Sequence, residues 1–85
     1  MAVQILKIPA SAKKLSDELI RLVDLFNSNQ VSEEEFTEAV QTWKSNVPQF
    51  LLADNGSGAF LNDKLIKYIG KRRAIVVSTV LAKIS

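Results

Sequence analysis

Cysteine and histidine are both absent from this 85-residue chain. Without cysteine there is no disulfide framework and no thiolate metal site. Without histidine, the side chain that most often serves as general base, proton shuttle and metal ligand is missing as well. Only carboxylates, hydroxyls and lysines remain for chemistry, so the composition points away from an enzyme, and no catalytic residue, metal or cofactor is expected. Long apolar runs are also lacking. Nothing approaches the roughly 18 consecutive apolar residues of a membrane span, and the start does not read as a basic segment followed by an apolar one, as a signal peptide would. Residues Ala74 to Ala82 are apolar but interrupted by Ser78 and Thr79. The expectation is a cytoplasmic protein with no membrane association. Internal repeats and low-complexity segments are missing too.

What is present suits one small globular domain. Hydrophobic residues make up 47 % of the chain and charged residues 24 %, ordinary values that exclude disorder throughout. At this length a single core barely outweighs chain entropy, so every helix has to contribute to it. The net charge of +2 says little by itself. Its distribution says more: up to Trp43 four cations face seven acids, a balance of −3, whereas after Trp43 seven cations face two acids, a balance of +5. Two surfaces of opposite sign are expected.

Apolar spacing predicts an all-α fold, a small bundle of three to four helices behind an extended N-terminal strap. Residues 1–9 form the strap, since Val3, Ile5 and Ile8 are β-branched and Pro9 bars smooth continuation as a helix. Over residues 11–27, Leu15, Leu19, Leu22 and Phe26 recur at steps of four, three and four, with Val23 widening the stripe. The turn Asn27-Ser28-Asn29-Gln30 follows. Residues 32–47 open with a capping box: Ser32 caps, Glu35 reaches back, and Val31 packs on Phe36 as a hydrophobic staple. Their buried stripe is Phe36, Ala39, Val40, Trp43 and Val47, and Pro48 stops the helix. So short a connection predicts a helical hairpin from these first two helices. Phe50, Leu51 and Leu52 form a short plug, and residues 53–60, centred on Asn55-Gly56-Ser57-Gly58, a loop.

Residues 61–84 read as one long helix or as two broken near Gly70. A continuous stripe Leu61, Leu65, Ile69, Val76, Val80 would place Arg72 or Arg73 in the core; a break at Gly70 avoids this. The second helix would then use Ala74, Val77, Leu81 and Ile84, with Ile75, Val76 and Val80 making it apolar around most of its circumference. Such a helix belongs at the centre of a bundle. Its β-branched run also admits a strand.

Glycine, a helix start and three cations coincide at Gly70-Lys71-Arg72-Arg73. Free amides at a helix start, approachable beside a glycine, suit an anion, and nearby cations strengthen the site. Lys64, Lys67, Gly70, Lys71, Arg72 and Arg73 are therefore the candidate nucleic-acid or anion-binding residues. Five cations would contact up to about five phosphates, a salt slope of at most about −4.5 on duplex DNA. The plain alternative is a glycine cap followed by solvated cations that keep an apolar helix in water. Trp43 lies in a stripe and reads as core. Tyr68 flanks the basic step as a candidate partner contact. Glu33, Glu34 and Glu38 offer an acidic docking face, for another protein or a second copy of the chain. Helix capping already accounts for the first-turn glutamates, and no metal is assigned to them. Three further matches fail. A calcium loop starting at Asp54 would need glutamate where Leu65 stands, a P-loop would need glycine at the same position, and the Asn55-Gly56-Ser57 sequon has no role in a cytoplasmic chain.

Ile69, Gly70, Ala74 and Val77 occupy the positions of I-G-x-x-x-A-x-x-[IV], so this segment resembles the second half of a helix-hairpin-helix motif, with Tyr68 standing at the family's first hairpin glycine. That resemblance implies sequence-independent phosphate contact by the Gly70 amide, Lys71, Arg72 and Arg73. Over more of the chain, Ser32-Glu33-Glu34-Glu35, Trp43 and Gly70-Lys71-Arg72-Arg73 follow the outline of a family of short helical proteins of Gram-positive bacteria and their phages or mobile elements, to which the sequence is similar. This implies a bacterial or phage origin and brings no activity. The expected function is noncatalytic and regulatory, acting by protein–protein interaction with a partner that the sequence does not name. The alternative is a nucleic-acid-binding accessory domain, and a homodimer is compatible with either.

Overall fold

A computed structural model describes residues 5–58 and 60–84. The fold is all-α, with helices α1 (Ala12–Asn27), α2 (Glu33–Asn46), α3 (Pro48–Leu51), α4 (Asp63–Ile69) and α5 (Lys71–Ile84). A 3-10 turn spans Asp54–Gly56, inside the segment expected to be a loop.

Local chemistry explains where the helices start. Ser11 caps α1 by accepting from the Lys14 amide at 3.2 Å. Ser32 caps α2 by accepting from the Glu35 amide at 3.1 Å, and the Glu35 carboxylate accepts in return from the Ser32 amide, so the capping box is complete. Val31 and Phe36 are buried in the same core cluster. Asn62 caps α4, accepting from the Lys64 amide at 2.8 Å. Each cap satisfies an otherwise orphaned donor and contributes about 1 kcal/mol.

The predicted stripes form the core. Leu15, Leu19, Leu22 and Val23 of α1 meet Phe36, Ala39, Val40 and Trp43 of α2, joined by Leu51, Leu65, Ile69, Ala74, Val77 and Leu81. Phe26 is only partly buried; it packs edge-on against Phe36 with ring centroids 5.0 Å apart. Of the expected plug, Leu51 and Leu52 are buried in the core and Phe50 is partly buried against it. Leu52 forms an isolated antiparallel bridge with Leu61, which closes the intervening loop.

Helix α1 contacts α2, as the expected hairpin of the first two helices requires, and it packs on α4 as well. One expectation needs revision: helix α5 is not at the centre. It packs on α2, α4 and α1 through Ala74, Val77, Val80 and Leu81, while Ile75 remains 67 % exposed and Val76 only partly buried. In a chain this small, four helices share one core, and each keeps an outer face.

Of the strap, residues 1–4 lie outside the described residues. From Ile5 to Ala10 the chain is non-helical, and its backbone is tied to the first two helices. The Leu6 amide donates to Glu18 at 2.7 Å, the Trp43 indole donates to the Leu6 carbonyl at 2.8 Å, and Asn46 donates to the Lys7 carbonyl at 3.1 Å. Trp43 is thus fully buried, and its one polar atom is satisfied by the strap.

Between α4 and α5 stands a single residue. Gly70 adopts φ 89° and ψ 158°, a region open essentially to glycine alone. An added Cβ would meet no atom within 4 Å, so the constraint is the backbone and not space. Gly70→Ala is therefore expected to lower stability by about 1–3 kcal/mol. Urea unfolding of the variant and the parent checks this.

Candidate functional site

The first turn of α5 starts directly on Gly70, whose carbonyl accepts from the Ala74 amide at 3.0 Å. Glycine offers no side chain to cap the helix, and there is no acid in the first turn. No acceptor among the described residues meets the amides of Lys71, Arg72 and Arg73. Three donors and three cations therefore gather at one helix start, where the macrodipole already disfavours positive charge.

The cations are not equivalent. Arg73 is half-buried and committed: its Nε donates to Asp24 Oδ1 at 3.1 Å, one terminal nitrogen donates to Asp24 Oδ2 at 3.3 Å, and the other donates to the Ile69 carbonyl at 3.2 Å. One guanidinium thereby ties α5 to α1 through a forked carboxylate contact and covers a carbonyl at the end of α4. Arg73 is therefore less available to an anion than its neighbours, because three of its N–H groups are already engaged. Its pairing with Asp24 spans 49 residues, beyond the reach of local pattern reading. Lys64, Lys67, Lys71 and Arg72 are exposed and form no ion pair among the described residues.

Beside Lys71 lies a shallow groove of about 580 Å³, lined by Ile66 of α4 and by Lys71, Ala74, Ile75, Ser78, Thr79 and Ala82 of α5. Ala74, Ser78 and Ala82 follow one another at steps of four and form a line of small side chains along the helix. Ile75 stands next to this line as an exposed ridge. The groove contains no acid and a single cation. Of its α5 residues, Lys71 alone was a candidate contact in the sequence. The signal available in the sequence is an apolar circumference too wide for one buried face.

The remaining candidates lie elsewhere. Tyr68 is 51 % exposed on α4. Positions 66 and 68 are two apart on this helix, so Tyr68 points away from Ile66 and from the groove. Glu33, Glu34 and Glu38 are exposed on α2, where with Thr37 they line a second, polar depression. Glu33 also pairs with Lys83 near the end of α5, so it is not free for docking. Among the described residues, no three acidic side chains converge as a metal site would require. No described helix is long and apolar enough to cross a membrane.

A family model described as "Conserved hypothetical protein" matches residues 6–82. The chain belongs to this family. The matched span runs from the tied strap to Ala82, so it includes the Gly70 joint and the whole groove. Comparison with curated proteins and with solved structures gave no significant match.

The division of labour among the cations yields a stability test. Arg73→Ala removes a forked pair that is partly exposed on both sides, worth up to about 1 kcal/mol, and a carbonyl contact worth about 0.5–1.5 kcal/mol. A loss of about 1–2 kcal/mol is expected in urea unfolding, while Arg72→Ala should stay within about 0.5 kcal/mol of the parent.

Proposed function

We propose that this is a noncatalytic binding protein that acts by protein–protein interaction through the α4–α5 groove, in the cytoplasm of a bacterium or of a phage-infected cell. The observation that carries this reading is the exposure of Ile75 beside a line of small residues, on a helix whose opposite side is fully used in the core. A small protein gains little by leaving an isoleucine in water next to an apolar furrow, whereas a partner side chain seated there would bury both. The basic rim then contributes orientation and association rate more than affinity. The bacterial or phage setting rests on the sequence outline around Ser32-Glu33-Glu34-Glu35 and Gly70-Lys71-Arg72-Arg73.

Site-specific photo-crosslinking tests the reading. With the crosslinker at Ile75, a discrete protein adduct is expected in cells of the source organism. At Gln41, on the exposed face of α2, none is expected. Equal labelling at both positions, or no adduct at Ile75, would contradict it.

Nucleic-acid binding is the second reading, and one observation favours it: Lys67, Lys71 and Arg72 are exposed and unpaired close in sequence to three unfilled helix-start amides, and Lys64, in the first turn of α4, is exposed and unpaired as well. It is also what the partial helix-hairpin-helix resemblance implies. With Arg73 engaged by Asp24, at most about four phosphates are within its means, which lowers the salt-slope limit to about −3.6. Fluorescence anisotropy with a labelled duplex at low and moderate salt measures that slope. No binding at low salt, or no loss in a Lys71→Ala/Arg72→Ala variant, eliminates this reading.

A further inference from the structure

The geometry points to an amphipathic helix with acidic flanks, carried by a partner protein, as the occupant of the α4–α5 groove. This inference rests on the protein-binding reading above and specifies the partner's chemistry. Ser78 and Ala82 lie exposed one above the other along α5 with no bulky side chain between them, and the buried Ala74 ends their line near the joint, which allows a second helix to approach closely. Ile66 on one wall and Ile75 on the other would flank its apolar seam, the helix-in-groove mode of recognition.

The sign of the charge follows from what surrounds the seam. Helix α5 contains no acid at all, and its first turn adds Lys71 and Arg72 to three unfilled amides. On α4, Lys67 is exposed next to Ile66 in sequence, and the one acid, Asp63, sits in the first turn, at the end of the helix away from the joint. Acidic side chains on a bound helix would meet Lys67 and Lys71 at the rim and bring negative charge to the positive end of the α5 dipole.

A second copy of the chain does not fit the groove as well. Apposing two α5 helices would set cations against cations with no acid between them. Docking the acidic α2 face of another copy would present Glu34, Thr37, Glu38 and Gln41, which supply no apolar anchor.

The probe is a lactam-bridged peptide helix with a leucine and alanine seam flanked by glutamates. Its control carries the same seam flanked by lysines. Titrated into the ¹⁵N-labelled full-length chain, the glutamate peptide is expected to shift the amides of Ile66, Lys71, Ile75, Ser78 and Ala82, and to bind at least tenfold more tightly than the lysine peptide. Lys67→Glu/Lys71→Glu should reverse that preference while leaving the unliganded spectrum otherwise dispersed. Ile75→Asp should abolish binding of both peptides. Equal binding of the two peptides, or shifts confined to other surfaces, overturns the acidic-helix inference, even where Ile75 gives an adduct in cells and the broader protein-binding reading stands. Concentration-dependent shifts at these amides without peptide overturn it in favour of a second copy. Displacement of the glutamate peptide only by a DNA duplex, with no protein adduct at Ile75, overturns both readings.

Discussion

For the chain to leave α4 and start α5 one residue later, residue 70 must sit at φ 89° and ψ 158°, a region of backbone space essentially closed to L-residues. The redirection at this point decides what α5 can do. A straight helix continued through position 70 would carry the Leu65 and Ile69 stripe directly into the three cations. The turn removes that conflict. Ile69 ends one buried surface, Ala74 begins another, and the charged residues occupy the corner between them. The small line of α5 is also brought beside Ile66, so the groove is a product of the same joint.

The corner divides its cations between structure and solvent. Arg73 is turned toward the protein, where it bridges Asp24 and the end of α4, and so ties the joint to α1. Lys71 and Arg72 face outward at a helix start that has no side-chain cap and no acid to offset them. Each opposes the dipole by a few tenths of a kcal/mol, a modest cost that an anionic group arriving from outside would remove. At the other end of α5, Lys83 finds Glu33, in the sequence region where the acids are concentrated. The opposed balances of the two halves, −3 and +5, are therefore partly internal: α5 spends its far cation on α2 and leaves its near ones unpaired.

Much of this fold was legible in the sequence because it is written in short-range chemistry. Ser32 and Glu35 are three residues apart, so the capping box needs no tertiary context, and the all-α class follows from stripes at helical spacing. Trp43 fell in a stripe and is buried there. The break was inferable because Arg72 and Arg73 interrupt an otherwise apolar pattern. Less legible was anything decided by which helices meet. The packing of α1 on α4, and the Asp24–Arg73 pairing, are contacts between distant segments with no local signature. The β-branched run in α5 carried conflicting signals. It became a helix because no described strand is available to pair with it, and Thr79 settles its hydroxyl on the Ile75 carbonyl at 2.8 Å. That run's wide apolar circumference predicts central burial. One side is core and the other is the groove, so the same residues that misplaced the helix mark the surface of interest.

Backbone and side-chain NMR of the unmodified chain tests the joint most directly. Two separate runs of helical Cα shifts are predicted, Asp63–Ile69 and Lys71–Ile84, with a non-helical shift and a positive-φ coupling pattern at Gly70. Nuclear Overhauser contacts are predicted between the Arg73 side chain and residues around Asp24 of α1. Uninterrupted helical shifts from Asp63 to Ile84, with sequential helical contacts running through Gly70 and none from Arg73 to α1, would contradict the joint and the groove that it forms.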